Sequence, residues 1–159
     1  MKWDLLERFD VIKKGAYAKA QKSYSGSEDF FREHYPAKPV VPEPLFIEMI
    51  AQTGGVLFGL DIDFKKEVVL AKVSRAIFQS VVTLPCTFEI EAKIDEQREE
   101  GAWISGTVKK DGETVAVAQI LLVAMDSLGE ENKKNIVFSP SFLKHFDIYN
   151  VAKRSEAVA

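Results

Sequence analysis

Among 159 residues there is a single cysteine, Cys86, and only two histidines, His34 and His145. One thiol forms no internal disulfide, and three such side chains build no zinc site, so a reducing, cytoplasmic setting without a structural metal is expected. Positive charge is also short: 21 Lys and Arg stand against 24 Asp and Glu, a net charge of −3. Nothing is left over to neutralise a phosphate backbone, which speaks against a nucleic-acid binder. Long hydrophobic runs are missing too. The most apolar stretch, residues 44–60, is interrupted by Glu48 and Gln52 and is too short to span a bilayer. The opening Met1-Lys2-Trp3-Asp4-Leu5-Leu6-Glu7-Arg8 meets charge before an apolar signal core develops, so neither a signal peptide nor membrane insertion is expected. What is present, 47% hydrophobic and 28% charged residues, is one ordinary domain with enough apolar material for a core.

Leu5, Leu6 and Phe9 suggest the apolar side of a short opening helix, and residues 9–24 an extended, polar strand broken at Gly15. Ser25 lies three residues before Glu28, a start signal for a short helix with acidic residues at its positive end. That helix cannot run far, because Pro36, Pro39, Pro42 and Pro44 fall within nine residues and make a stiff, irregular segment. Pro44 suits the first position of a helix. Residues 45–60 are then apolar all round save one polar stripe, as for a helix buried on nearly every side. Gly54 and Gly55 inside it suggest the close approach of another backbone. Further on the period changes. Residues 68–78 and 87–94 read as strands, the second with Phe88, Ile90, Ala92 and Ile94 on one face and Glu89, Glu91 and Lys93 on the other. Residues 102–109 and 114–124 are two more, joined by the tight-turn pair Asp111-Gly112. The tail is polar over 129–134 and offers one terminal helix near 140–149. A buried helix followed by long antiparallel strands is an α+β layout, most simply satisfied by a sheet wrapped around the helix, the hot-dog fold. This gives a domain over residues 1–126 and a C-terminal extension over 127–159 packed on it.

Two residues stand out chemically. Glu48 lies one turn inside the buried helix, with Gln52 at i+4 able to fix its carboxyl. An apolar helix disfavours the ionised form, so its pKa should rise into the range of a general acid. The same carboxyl has two other uses, pointing into a dimer interface or pairing with a lysine. His34, just before the prolines, reads first as a satisfied structural or surface residue and second as a general base. His145 reads as a helix-surface residue and Cys86 as a small strand hydrophobe.

The segment Phe30-Phe31-Arg32-Glu33-His34-Tyr35-Pro36-Ala37-Lys38-Pro39-Val40-Val41-Pro42, continuing to Ile47-Glu48-Met49-Ile50-Ala51-Gln52, resembles the signature of FabA/FabZ-type 3-hydroxyacyl-acyl-carrier-protein dehydratases. That signature is roughly G-H-F-P-x-x-P-V-M-P-G followed by a helix with E-A-M-A-Q. Glutamate at position 48, where the FabA branch has aspartate, is similar to the FabZ branch. Weaker likeness continues through residues 75–82 and 108–122, and in all it covers roughly residues 9–125.

The resemblance implies a hot-dog homodimer, or a hexamer made as a trimer of dimers, that needs neither cofactor nor metal. It implies His34 as the base at C2 of a 3-hydroxyacyl thioester and Glu48 as the acid at the departing C3 hydroxyl, the two coming from different subunits. The substrate would be linked to acyl carrier protein or coenzyme A. Backbone N–H groups where the central helix starts, at Glu43, would face the enolate-like oxygen. Here the chain departs from the pattern. Glu43 replaces the motif's last glycine, Pro44 follows without an N–H, Glu33 replaces the glycine before the histidine, and Thr83-Leu84 replaces a Pro-Gly pair. If the glycine position needs a positive φ, Glu43 is strained, and its carboxylate also repels a developing oxyanion. Two rival readings stay open: a hot-dog acyl thioesterase in which Glu48 activates water, and an inactive acyl-binding or assembly partner. Lys13-Lys14, Lys65-Lys66, Lys72 and Arg75 suit either an acidic carrier protein or a plain solvated face.

Overall fold

The computed structural model describes residues 5–126 and 136–158. Six antiparallel strands form one sheet in the order β1-β2-β4-β5-β6-β3. They are β1 (Arg8–Lys13), β2 (Tyr17–Tyr24), β3 (Glu67–Phe78), β4 (Cys86–Arg98), β5 (Gly101–Lys110) and β6 (Glu113–Met125). Between β2 and β3 run a short helix α1 (Asp29–Glu33) and the long α2 (Pro44–Asp61). The chain ends in α3 (Pro140–His145) and α4 (Ile148–Ala157).

Every residue of α2 from Met49 to Leu60 is buried, and the helix packs against β2, β3, β4, β5 and β6. A helix so apolar has no wet face to present, and the sheet curls around it to remove that surface from water. This is the hot-dog arrangement. The alternation in β4 falls as its sequence implies: Phe88, Ile90 and Ala92 are fully buried against α2, while Glu89 and Lys93 face outward. Asp111 (φ 52°) and Gly112 (φ 79°) close the β5–β6 hairpin with two positive φ values, the twist that a two-residue turn needs.

Two expectations are corrected. Leu5 and Leu6 are buried but not helical, and Phe9 belongs to β1. A register shift between Phe9 and Val11 turns Phe9 and Ile12, three apart, to the same inward side, so a bulged strand imitates helical spacing. Residues 1–4 and the polar stretch 129–134 lie outside the described residues. The close approaches at Gly54 and Gly55 are made by side chains, not by backbone. A Cβ at Gly54 would lie 2.8 Å from Ile104 Cγ2, and one at Gly55 would lie 2.5 Å from the Phe138 ring.

Phe138 starts a C-terminal segment that covers α2 and the β1 edge. Glu67, with 1% of its surface exposed, accepts the N–H groups of Ile136 and Val137 (3.1 Å for the latter), so a carboxylate at the start of β3 holds the segment's entry. At the other end Ser155 of α4 accepts the Ile12 N–H (3.0 Å) and donates to Val151 O (2.7 Å). This satisfies a buried donor on an edge strand and keeps that edge from pairing elsewhere. No helix among the described residues is long and apolar enough to cross a membrane.

Candidate active site

His34 is positioned from below by aromatic packing. Phe30 and Phe31 of α1 set their rings edge-on to Tyr24 of β2 at 5.8 and 5.2 Å, and Phe31 is 1% exposed. The expected capping pair is half realised. Glu28 reaches back to accept from the Ser25 N–H (2.9 Å) and the Gly26 N–H (2.8 Å). Burial alone would raise its pKa, but these donors hold it below the usual carboxylate range. His34 ends α1, donating its N–H to Phe30 O (3.1 Å), and its exposed ring lies edge-on to Tyr35 at 4.5 Å. The proline segment that follows is pinned to the loop before β4. Val41 N–H donates to Val82 O (3.0 Å), and Val40 bridges to Thr83.

At the start of α2, Glu43 has φ −54° and ψ −39°. That is ordinary right-handed backbone open to any residue, so the strain expected from losing a glycine there is absent. Pro44 brings no N–H. The next two donors are already spent in the first turn, Leu45 N–H on Pro42 O and Phe46 N–H on Glu43 O, both at 3.0 Å. One turn on, Glu48 is partly buried and accepts a hydrogen bond from Gln52 Nε2 at 3.0 Å, the i+4 pairing read from the sequence. Gln52 is 9% exposed, so the donor that orients the carboxyl is itself held in the core.

Glu48 and Gln52 open onto a cavity of about 720 Å³. Val68, Val69 and Leu70 of β3 and Leu122 of β6 line it from the sheet, and residues of the C-terminal segment, among them Phe142 and His145, line it from the end of the chain. His34 is not part of this lining. One copy of the chain therefore sets the carboxyl in a cavity without the imidazole beside it. His145 is exposed, as the sequence suggests, yet it also lines the cavity. The sequence reading assigned the tail no role. Its signal was the aromatic spacing Phe138, Phe142, Phe146, a stripe four residues apart.

The remaining titratable candidates carry no site. Burial pushes the Cys86 thiol up to about 11, the behaviour of a small core hydrophobe rather than of a nucleophile. Among the described residues no cluster of His, Cys, Asp or Glu could hold a metal ion. The basic residues divide between places. Lys14 lies by Asp61 where α2 ends and Lys65-Lys66 follow that end, whereas Lys72 and Arg75 are exposed on β3.

The family model of the FabA-like domain matches residues 2–119, a span that holds His34, Glu43, Glu48 and Gln52. The chain is also 35% identical over 107 residues to the 3-hydroxyacyl-[acyl-carrier-protein] dehydratase FabZ of Rickettsia bellii, covering 66% of this chain and 74% of that protein. This chain belongs to the FabA/FabZ-type dehydratase family, on its FabZ branch. A second FabZ relative, from Clostridium acetobutylicum, is 32% identical over 117 residues, with 73% of this chain and 83% of its own length aligned. Solved structures agree on the fold. The dehydratase heterocomplex ApeI:P of Xenorhabdus doucetiae superposes with a TM-score of 0.67 at 17% identity, over 79% of this chain and 85% of its own. A hypothetical thioesterase with coenzyme A from Streptococcus pneumoniae does so with 0.59 at 10%, over 79% and 92%. The FabA-like match ends before α3, so the segment that walls the cavity lies beyond the family's shared core.

Proposed function

We propose that this FabZ-branch chain is a hydro-lyase that removes water from 3-hydroxyacyl thioesters carried on acyl carrier protein, giving trans-2-enoyl thioesters in acyl-chain synthesis in the cytoplasm. The observation that carries the reading is Glu48: a carboxyl fixed by Gln52, on the wall of a largely apolar cavity one turn from a helix start. His34 takes the proton from C2, the C2–H electrons form the C2=C3 bond, and the C3–O bond breaks as Glu48 delivers its proton to the leaving hydroxyl. Water departs, and a proton passed back from imidazolium to carboxylate resets the pair. The backbone N–H of Glu43 supplies the donor for the thioester oxygen as it gains charge, since Pro44 has none and its neighbours' donors are used within the turn.

Because His34 is outside the cavity that holds Glu48, the working unit is at least a homodimer, each cavity receiving His34 from a second copy. Strand β3 supports this. It is the sheet's outer strand beside the cavity, and its Leu70 and Val73 are each 40% exposed, apolar side chains on an edge suited to pairing.

The test follows the ultraviolet absorbance of trans-2-enoyl thioesters, which the reverse hydration removes, with a thiol reagent reporting hydrolysis in parallel. Loss of absorbance without thiol release, cut about 10²–10⁴-fold in His34→Ala and Glu48→Gln, is the expected result. Thiol release would make the protein a thioesterase. Silence in both channels from a folded oligomer, over several chain lengths and both carriers, would make it an acyl-binding partner.

A further inference from the structure

The C-terminal segment adds a built wall to the cavity. Its entry is held by Glu67 through the Ile136 and Val137 N–H groups, and the Phe138 ring fills the space that Gly55 leaves on α2. Ser139 then caps α3 by accepting the Phe142 N–H at 3.2 Å. The Phe142 ring sits between Phe138, 5.2 Å away, and Phe146, 4.6 Å away, and Phe146 is itself edge-on to Phe9 of β1 at 5.8 Å. Phe138 and Phe146 are buried, whereas Phe142 is only partly so and lines the cavity with Glu48. A ring packed edge-on against one buried ring and tilted against another cannot swing aside without breaking those contacts.

We infer that Phe142 is a specificity-determining residue, setting the length of acyl chain that fits beside Glu48. Its ring competes for the same space as methylenes laid along Val68, Val69 and Leu122, and each methylene that finds room contributes by leaving water. The inference rests on the dehydratase reading only for the identity of the ligand. The wall itself lies outside the part of the chain that matches the FabA-like domain.

The experiment measures binding of S-alkyl pantetheine thioethers, from butyl to dodecyl, by titration calorimetry, and hydration rates on the matching enoyl thioesters. Affinity of the natural chain should rise with each methylene and then stop. Phe142→Ala should move that stop to longer chains, with roughly tenfold tighter binding for the next two methylenes. Phe142→Trp should move it to shorter ones, and Lys144→Ala, on the exposed side of α3, should leave it in place. A stop unmoved in the folded variants, or an equal loss of affinity at every length, overturns the proposal. If Phe142→Ala fails to fold, the tryptophan variant decides alone. A stop that moves while no enoyl thioester is hydrated overturns the dehydratase reading and leaves the wall standing. Hydration with an unmoved stop does the reverse.

Discussion

Glu43 occupies the motif's glycine position in backbone that any residue adopts, so the conformation there does not require glycine. Glu43→Gly is therefore expected to leave kcat/KM for hydration nearly unchanged, a large rise showing instead that the carboxylate repels the oxyanion. At this scale the sequence was most informative where chemistry and spacing coincide. Glu48 and Gln52 were legible because i and i+4 share a helix face, and the bond between them is present. His34 was legible by its motif, and only the resemblance, not its own spacing or composition, implied that it serves with the Glu48 of another subunit. His145 was read as a surface residue because nothing local shows that α3 borders a cavity, which it shares with Glu48 of α2, far away in the sequence.

Among elements, α2 was readable because it is buried from Met49 to Leu60, β4 because buried and exposed residues alternate from Cys86 to Lys93, and the Asp111-Gly112 turn because its φ values restrict the residues allowed. The bulged β1 was not, since two inward residues three apart carry the helical period. Helix α4 was not expected either. Its buried Ile148, Val151, Ala152 and Ser155 fall at i, i+3, i+4 and i+7, but two of the four are the small Ala and the polar Ser, so the stripe that docks on β1 is faint in the sequence. The joint between α2 and the C-terminal segment gives a direct prediction. Gly55→Ala places a Cβ where the Phe138 ring sits, which should cost about 1–3 kcal/mol in denaturant unfolding and loosen the cavity wall. Normal stability in that variant would mean that Phe138 relocates without penalty. Ser155→Ala, which strands the buried Ile12 N–H, should cost about 1–3 kcal/mol by the same measurement.

For the whole molecule, burial makes alkali the destabilising direction. The Cys86 thiol rises from 9.0 to about 11, and the Tyr24 phenol is pushed above its ordinary 10.0, because each is costly to ionise inside. The folded state holds both protons more tightly than the unfolded one does. The Cys86 share is complete below pH 9.0 and is lost progressively as pH rises through about 11, and the Tyr24 share starts to be lost only above 10.0. The urea midpoint should fall across that interval, and Cys86→Ala should fall less steeply. The two sheet edges differ in a way that bears on assembly. The β1 edge is covered by α4, whereas β3 keeps exposed apolar side chains next to the cavity, whose lining includes Glu48 but not His34. A site shared between two copies can be tested by complementation. His34→Ala and Glu48→Gln chains, each inactive alone, are co-expressed with different tags, and the mixed oligomer is isolated and assayed for enoyl-thioester hydration. Each mixed dimer holds one complete site of its two, so the isolated mixed dimer should recover about half of the natural activity. Recovery at that level is the predicted result. Mixed oligomers that form and fold yet remain silent would contradict the shared His34–Glu48 site.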